Sequence, residues 1–265
     1  MDYSPKRIVC LTEETTETLY LLGEEARIVG ISGFTVRPKR ARKEKPKVST
    51  FLEAKTDDIL ALQPDLVIGF SDIQATIAKE LIAQGITVWV NNHRSVHGIL
   101  QMIVQLGALV DKKDAALDLV RRIEDDILKM KEQTKRWTKK PKVYFEEWYD
   151  PLITGIQWVS EIIEIAGGTD VFKDRRASLA KDRILANHNM VIDRNPDMIL
   201  ASWCGKMFKK DKMITREGWE QINALKTDSI HEIKSEIILQ PGPAALLDGL
   251  PLIHKLLLDW KEKYG

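Results

Sequence analysis

Cysteine is scarce: Cys10 and Cys204 are the only two in 265 residues, too few for a disulfide framework. They fall at corresponding places near strand ends of different halves of the chain. A bridge between them would lock the halves together, so both are expected as free thiols. Charge of one sign is also missing. With 40 Lys and Arg against 39 Asp and Glu, the formal net charge is +1, unlike the basic balance of a nucleic-acid binder, and no nucleic-acid partner is expected. No apolar run reaches the roughly 20 residues of a membrane span, so no membrane insertion is expected. The start, Met1-Asp2-Tyr3-Ser4-Pro5-Lys6-Arg7, has no apolar stretch, no small-residue cleavage site and no cysteine for lipidation. It reads as the start of a cytoplasmic protein; the alternative is a periplasmic or extracellular one whose signal has been removed. A Gly-x-Ser-x-Gly elbow, a phosphate-binding loop, a dinucleotide-binding glycine set and a zinc-hydrolase helix are all absent. No enzyme is expected.

What the chain does contain is a long-period repeat. Ile59-Leu60-Ala61-Leu62-Gln63-Pro64-Asp65-Leu66-Val67-Ile68 returns as Val191-Ile192-Asp193-Arg194-Asn195-Pro196-Asp197-Met198-Ile199-Leu200, with the prolines 132 positions apart (64 to 196). Ahead of each copy an apolar stretch, Arg7–Leu11 or Lys142–Phe145, leads through a loop into a helical segment closed by glycine. Two copies at this period mean two similar lobes, here 1–112 and 139–265. Clefts between domains are where small ligands bind.

Within each lobe, strands alternate with helices. The first lobe reads as strands at Ile8–Leu11, Ile28–Ser32, Val48–Phe51, Asp65–Phe70 and Ile86–Asn91. Its helices fall at Thr15–Leu22, Asp58–Leu62 (capped by Thr56 or Asp57), Ile73–Gln84 and Ser95–Val110. The second reads as strands at Val143–Glu146, Met198–Ser202 and Ile230–Ile233, with helices at Val159–Ala166, Asn187–Asp193, Gly218–Ala224 and Ala244–Tyr264. Gly249 and Pro251 should bend or break the last helix. Between the lobes, 113–138 holds one helix, Lys113–Trp137, with Leu117, Val120, Ile123, Ile127 and Met130 at helical spacing. At about 35 Å it would bridge the lobes stiffly, so small rearrangement on ligand binding is expected. The fold class is α/β: two similar lobes, each a parallel-rich sheet flanked by helices, joined by one long helix.

The ordered set of motifs resembles a known family. Arg7-Ile8-Val9 through Thr16-Glu17-Thr18-Leu19 to Leu22-Gly23, then Leu60–Ile68, then Val143–Leu152, Glu164-Ile165-Ala166-Gly167-Gly168 and Val171–Asp174 are similar to the substrate-binding proteins of cobalamin and ferric-siderophore ABC importers, most closely the cobalamin-binding branch. The resemblance covers nearly the whole chain. It implies a non-enzymatic cleft-type binding protein for a corrinoid such as cobalamin, or a similar large planar ligand, working as a monomer. It also implies one exposed permease-docking acid per lobe. Asp57 fills that position in the first lobe, whereas the second-lobe position holds the uncharged Asn189. With no export signal in view, these departures argue for an intracellular holding or sensing role and against an ABC permease partner.

In parallel α/β lobes, ligands sit at the carboxyl ends of strands. The loops there bring Thr15, Phe34, Phe51, Phe70, Asn91, Glu147, Trp148, Tyr149, Trp203 and Cys204 forward as ligand-binding candidates, with Glu146, Asn92 and Ser202 as further polar groups. Any one aromatic residue is more often core than contact, but six at strand ends suit a flat, amide-fringed macrocycle. His93 and His97, four apart, lack a third ligand of recognised spacing, so no metal site is expected. His188 and His254 read as helix-surface residues, and His231 as solvent-facing or locally bonded. The basic run Arg37–Lys45 reads as a solvated loop that could attract an anion. Two alternatives remain: a cytosolic tetrapyrrole-processing enzyme of chelatase type, with Glu146 or Glu147 pairing with His93, and a ferric-siderophore or haem binding protein of an ABC importer.

Overall fold

The computed structural model describes residues 3–177 and 179–265; Met1 and Asp2, on which the expectation about the start partly rests, lie outside the described residues. The chain divides into two compact units. The first comprises Met1–His93, His97–Arg122 and Pro241–Pro243, and the second Arg94–Val96, Ile123–Gln240 and Ala244–Gly265. One long helix, α6 (Lys113–Lys135), begins in the first unit and ends in the second.

The first unit is a five-stranded, all-parallel sheet: β1 (Ile8–Cys10), β2 (Ile28–Ser32), β3 (Lys47–Ser49), β4 (Leu66–Phe70) and β5 (Val88–Asn91), in the spatial order β3-β2-β1-β4-β5. All residues of β1 and β4 are buried, as strands covered by helices on both faces must be. One face packs Val9, Leu11, Val48, Val67, Ile77 and Leu81 into a core with Ile59 of α3 (Thr56–Ala61). The expected side-chain cap of α3 is absent. The helix begins two residues earlier, at Thr56, and Asp57 and Asp58 complement its dipole from the first turn instead.

In the second unit the sheet runs β10 (Ile230–Glu232), β9 (Met198–Ala201), β6 (Lys142–Tyr149), β7 (Leu152–Thr154), with β8 (Thr169–Asp170) pairing the start of β6. Pairing is parallel except for the β6–β7 hairpin. Tyr144, Phe172, Ile199, Met213 and Trp219 anchor its core. The expected helix at Gly218–Ala224 is instead a short 3-10 turn, Trp219–Gln221, followed by α10 (Asn223–Lys226). Gly218 is left-handed and Ile222 extended, which breaks the helix on either side. At the chain's end, a π-helical turn at Ala245–Gly249 precedes α12 (Leu250–Tyr264). The wider turn accommodates Pro251, which lacks an N–H and would clash with the preceding turn of an α-helix.

The repeat is physical. Ahead of each Pro-Asp pair the backbone turns left-handed, at Gln63 (φ 47°) and at Asn195 (φ 42°). Each aspartate then clamps the entrance to its neighbouring strand. Asp65 accepts from the backbone N–H groups of Lys6 and Arg7 at 2.6 and 3.0 Å, and Asp197 from that of Lys142 at 3.0 Å.

Candidate functional site

The second unit concentrates aromatic and charged side chains at one end of its sheet. β6 and β9 run parallel, with Glu146 opposite Ala201. Beyond that pair β6 enters its hairpin while β9 leaves toward α9 (Lys210–Ile214). Chains departing in opposite directions from adjacent parallel strands open a crevice at their carboxyl ends. Trp148 and Tyr149 close β6, and Trp203 follows β9. Their rings meet: Trp148–Tyr149 at 5.2 Å between centroids, Tyr149–Trp203 at 4.5 Å, and Trp203–Phe208 edge-on at 5.0 Å.

Glu146 supports this cluster from beneath. Wholly buried, it accepts two bonds from Arg216 (2.6 and 3.0 Å), one from the Trp203 indole (3.0 Å) and one from the Tyr144 hydroxyl (3.3 Å). Burial pushes its carboxyl upward from the usual range, and Arg216 opposes that. Arg216 also reaches the Tyr149 carbonyl at 3.4 Å and lies over the Trp219 ring. The next residue, Glu147, is held by the buried Arg183 through two bonds of 2.7 and 3.1 Å, and the Thr154 carbonyl accepts a third bond from Arg183. Both glutamates therefore serve to hold the strand end, and Glu147 is not an unengaged polar contact. Beside the rings lies a cavity of about 420 Å³ lined by Tyr149, Trp203, Gly205, Lys206, Met207, Lys209 and Lys212. Cys204 is exposed in the same loop.

In the first unit the candidates divide by burial. Phe34 is 54% exposed and Phe51 half-buried, whereas Thr15, Phe70 and Asn91 are buried. The Thr15 hydroxyl donates to the Thr12 carbonyl at 3.3 Å, and the Phe70 ring meets His93 edge-on at 5.4 Å. Thr15 is buried because α1 (Glu13–Leu21) packs its first turn inward, and Phe70 and Asn91 are buried as the last residues of β4 and β5. Trp203 in the second unit is likewise only 3% exposed, so little of its ring is open to the cavity.

Sequence reasoning missed several residues. Gln74, fully buried, ties three segments together: its carbonyl accepts from the Phe70 N–H, and its amide donates to the carbonyls of Leu11 and Phe51. Glu13, Glu14 and Glu17 are buried at the start of α1. The Thr12 hydroxyl donates to Glu14 at 2.5 Å, yet burial pushes that carboxyl up to about 7. Phe208, Lys212, Arg183 and Arg216 carried no sequence signal beyond residue type.

The expected docking positions occupy matching places, each exposed in the first turn of a short helix: Asp57 in α3, and Asn189 in α8 (Asn189–Arg194). His93 donates through Nε2 to the Pro241 carbonyl at 2.8 Å, and burial pushes its pKa down. Among the described residues no group of three His, Cys, Asp or Glu is placed to hold a metal. His254, expected on a helix surface, is partly buried, stacked on Trp137 and bonded to the Ala166 carbonyl. The arginines of the basic run are engaged: Arg37 with Glu17, Arg40 with Glu25, and Arg42 with the carbonyls of Gly33 and Thr35. Both cysteines are free thiols, and no helix among the described residues is long and apolar enough to cross a membrane.

Comparison with known proteins places this geometry. A sequence profile of the periplasmic binding protein family matches residues 8–237. An uncharacterized ABC transporter substrate-binding lipoprotein of Bacillus subtilis is 26% identical over 255 residues, covering 93% of this chain and 78% of the relative. The vitamin B12-binding protein of Vibrio parahaemolyticus is 25% identical over 244 residues, covering 91% and 86%. Among solved structures, the periplasmic heme-binding protein RhuT from Roseiflexus sp. RS-1 superimposes with a TM-score of 0.83 at 21% identity, over 97% of this chain and 99% of that one. These findings overturn the expected cytoplasmic location: the family is named for the periplasm and the Bacillus relative is a lipoprotein. They also remove the ground for setting a permease aside, since that relative is an ABC transporter component. The chain is a non-enzymatic solute-binding protein, and it belongs to the periplasmic binding protein family.

Proposed function

We propose that this protein binds a corrinoid, or a similar large planar ligand, outside the cytoplasm and delivers it to an ABC permease. The observation that carries the reading is the contiguous Trp148–Tyr149–Trp203–Phe208 cluster at the carboxyl ends of β6 and β9. Aromatic faces and edges at a strand switch point suit a broad, flat ligand better than a small polar one. The exposed Met207 and Phe34 extend the apolar surface available within their respective units. The vitamin B12-binding relative supports the same ligand class. Cys204, exposed in the same loop as the cluster, is a further contact in this proposal, and Phe51, Phe70 and Asn91 remain the candidates of the first unit taken by itself.

Asp57, exposed and ahead of the Pro-Asp turn, is the proposed permease-docking acid, with Asn189 as its uncharged counterpart. A single exposed acid governs association rate and orientation more than affinity, so one acid is compatible with docking.

Titration of the protein with cyanocobalamin, haem and a ferric siderophore, followed by tryptophan fluorescence, tests the ligand. Cyanocobalamin should quench Trp148 and Trp203 emission saturably, with Kd below millimolar. If haem or the siderophore alone binds, the corrinoid assignment is wrong; if none binds, the planar-ligand reading is wrong.

A further inference from the structure

We infer that the cavity beside Tyr149 is an oxyanion site, so that the ligand carries a carboxylate or phosphodiester to Lys206, Lys209 and Lys212. The identity of that ligand rests on the corrinoid reading, whereas the anion site stands on its own geometry.

The cavity wall holds three ammonium groups, and none of them forms an ion pair among the described residues. Three carboxylates of this unit are already matched by other cations: Glu146 by Arg216, Glu147 by Arg183, and Asp228 by Lys210. A chain of almost zero net charge thus gathers uncompensated positive charge in one concavity, which focuses its field on an incoming anion.

Two of the ammonium groups are also held in place. Lys206 Nζ donates to the Tyr149 hydroxyl at 3.2 Å and lies 5.2 Å from the Trp148 ring centroid and 5.5 Å from that of Tyr149. Lys212 Nζ lies 5.2 Å from the same Tyr149 ring. Two like charges thus share one aromatic ring, each with donors left over, since an ammonium has three. An oxyanion between them would relieve their mutual repulsion and accept those donors in charge-assisted bonds. The ligand group arriving here meets ammonium groups in front of the Trp148 and Tyr149 rings, with Met207 and Trp203 as the apolar wall.

The test uses the triple variant Lys206→Gln, Lys209→Gln, Lys212→Gln, whose unaltered thermal unfolding would show that it folds. Pyrophosphate, titrated by tryptophan fluorescence, should give a saturable, salt-sensitive change in the native protein that the variant loses. No such change, or one the variant retains, overturns the anion site whatever the ligand is. Three corrinoids then identify the source of the anion: cobyrinic acid carries carboxylates, cobalamin a phosphodiester, and cobinamide neither. The favoured corrinoid should bind about 10-fold or more tighter than cobinamide, and that margin should vanish in the variant. Equal binding of all three overturns the inference but leaves the corrinoid reading intact. A pyrophosphate response with no corrinoid binding keeps the anion site and ends the corrinoid reading.

Discussion

Glu146 and Arg216 form a two-pronged ion pair, Nη1 to Oε2 at 2.6 Å and Nη2 to Oε1 at 3.0 Å, with the carboxylate wholly buried. Its remaining capacity is taken by the Trp203 indole and the Tyr144 hydroxyl. The pair therefore fixes two residues of the aromatic cluster at once, Trp203 through the indole and Tyr149 through its carbonyl. Arg216→Met should strand a buried carboxylate and destabilise the fold by about 3 kcal/mol or more. Urea unfolding measures the loss, and near-ultraviolet circular dichroism should show the tryptophan signal weakened. An unchanged midpoint would mean that the pair contributes nothing.

The Pro-Asp turns offer a simpler comparison. Asp65 accepts two backbone N–H groups at the entrance to β1, and Asp197 accepts one at the entrance to β6 plus the amide of Asn223. Charge-assisted bonds of this kind contribute about 1.5–3 kcal/mol each when buried and less when exposed. Asp65→Ala and Asp197→Ala should each lower stability by about 1–2 kcal/mol, read as a shift in urea midpoint at unchanged slope. Hydrogen exchange would localise each effect to the strand concerned.

Why some of this was legible in the sequence and some was not follows from distance along the chain. Strand β2 matches its expected span, Ile28–Ser32, because an apolar run bounded by polar turns is a local signal. The convergence of Trp148, Tyr149 and Trp203 followed from their positions at strand ends. Their supports did not: Arg216 lies 70 residues from Glu146, and Arg183 lies 36 from Glu147. Nothing local marks either arginine as a buried partner. Strands β7 and β8 and helix α9 are too short for a period to register. Glu13 and Glu14 precede the expected helix at Thr15–Leu22, and only the tertiary fold draws them into α1 and buries them.

Gly242 illustrates such a tertiary constraint. A Cβ there would stand 2.4 Å from the Cβ and 3.0 Å from the Cα of Glu14, so this segment and the first turn of α1 are in direct contact. Gly242→Ala must displace backbone, and overpacking of this order costs about 1–3 kcal/mol. Thermal unfolding measures it. A variant as stable as the parent would show that the loop moves aside freely.

The two thiols should differ sharply in reactivity. Cys10 is wholly buried, and burial pushes its pKa up to about 12, whereas Cys204 is exposed. The thiolate is the reacting species, so access and ionisation act together against Cys10. Ellman's reagent should modify one thiol per chain in the native protein and the second only on unfolding. Loss of the native phase in Cys204→Ser would assign it. Two equally fast thiols would contradict the burial of β1.

The clearest dependence on pH should come from Glu14. Burial raises its carboxyl from the ordinary 4.5 to about 7, and the Thr12 hydroxyl only partly offsets that. In the unfolded chain the group loses its proton near the ordinary value, while in the folded protein it keeps it to about pH 7. Between those values the native state binds more protons than the unfolded state, so stability falls as pH rises. The full effect is of order 3 kcal/mol and is complete above the folded pKa. Glu14→Gln carries no titrating proton and should abolish that fall. The variant should therefore gain on the native protein steadily from pH 5 to pH 8. Urea unfolding at those two pH values measures the difference, and parallel changes in the two proteins would show that Glu14 ionises without cost.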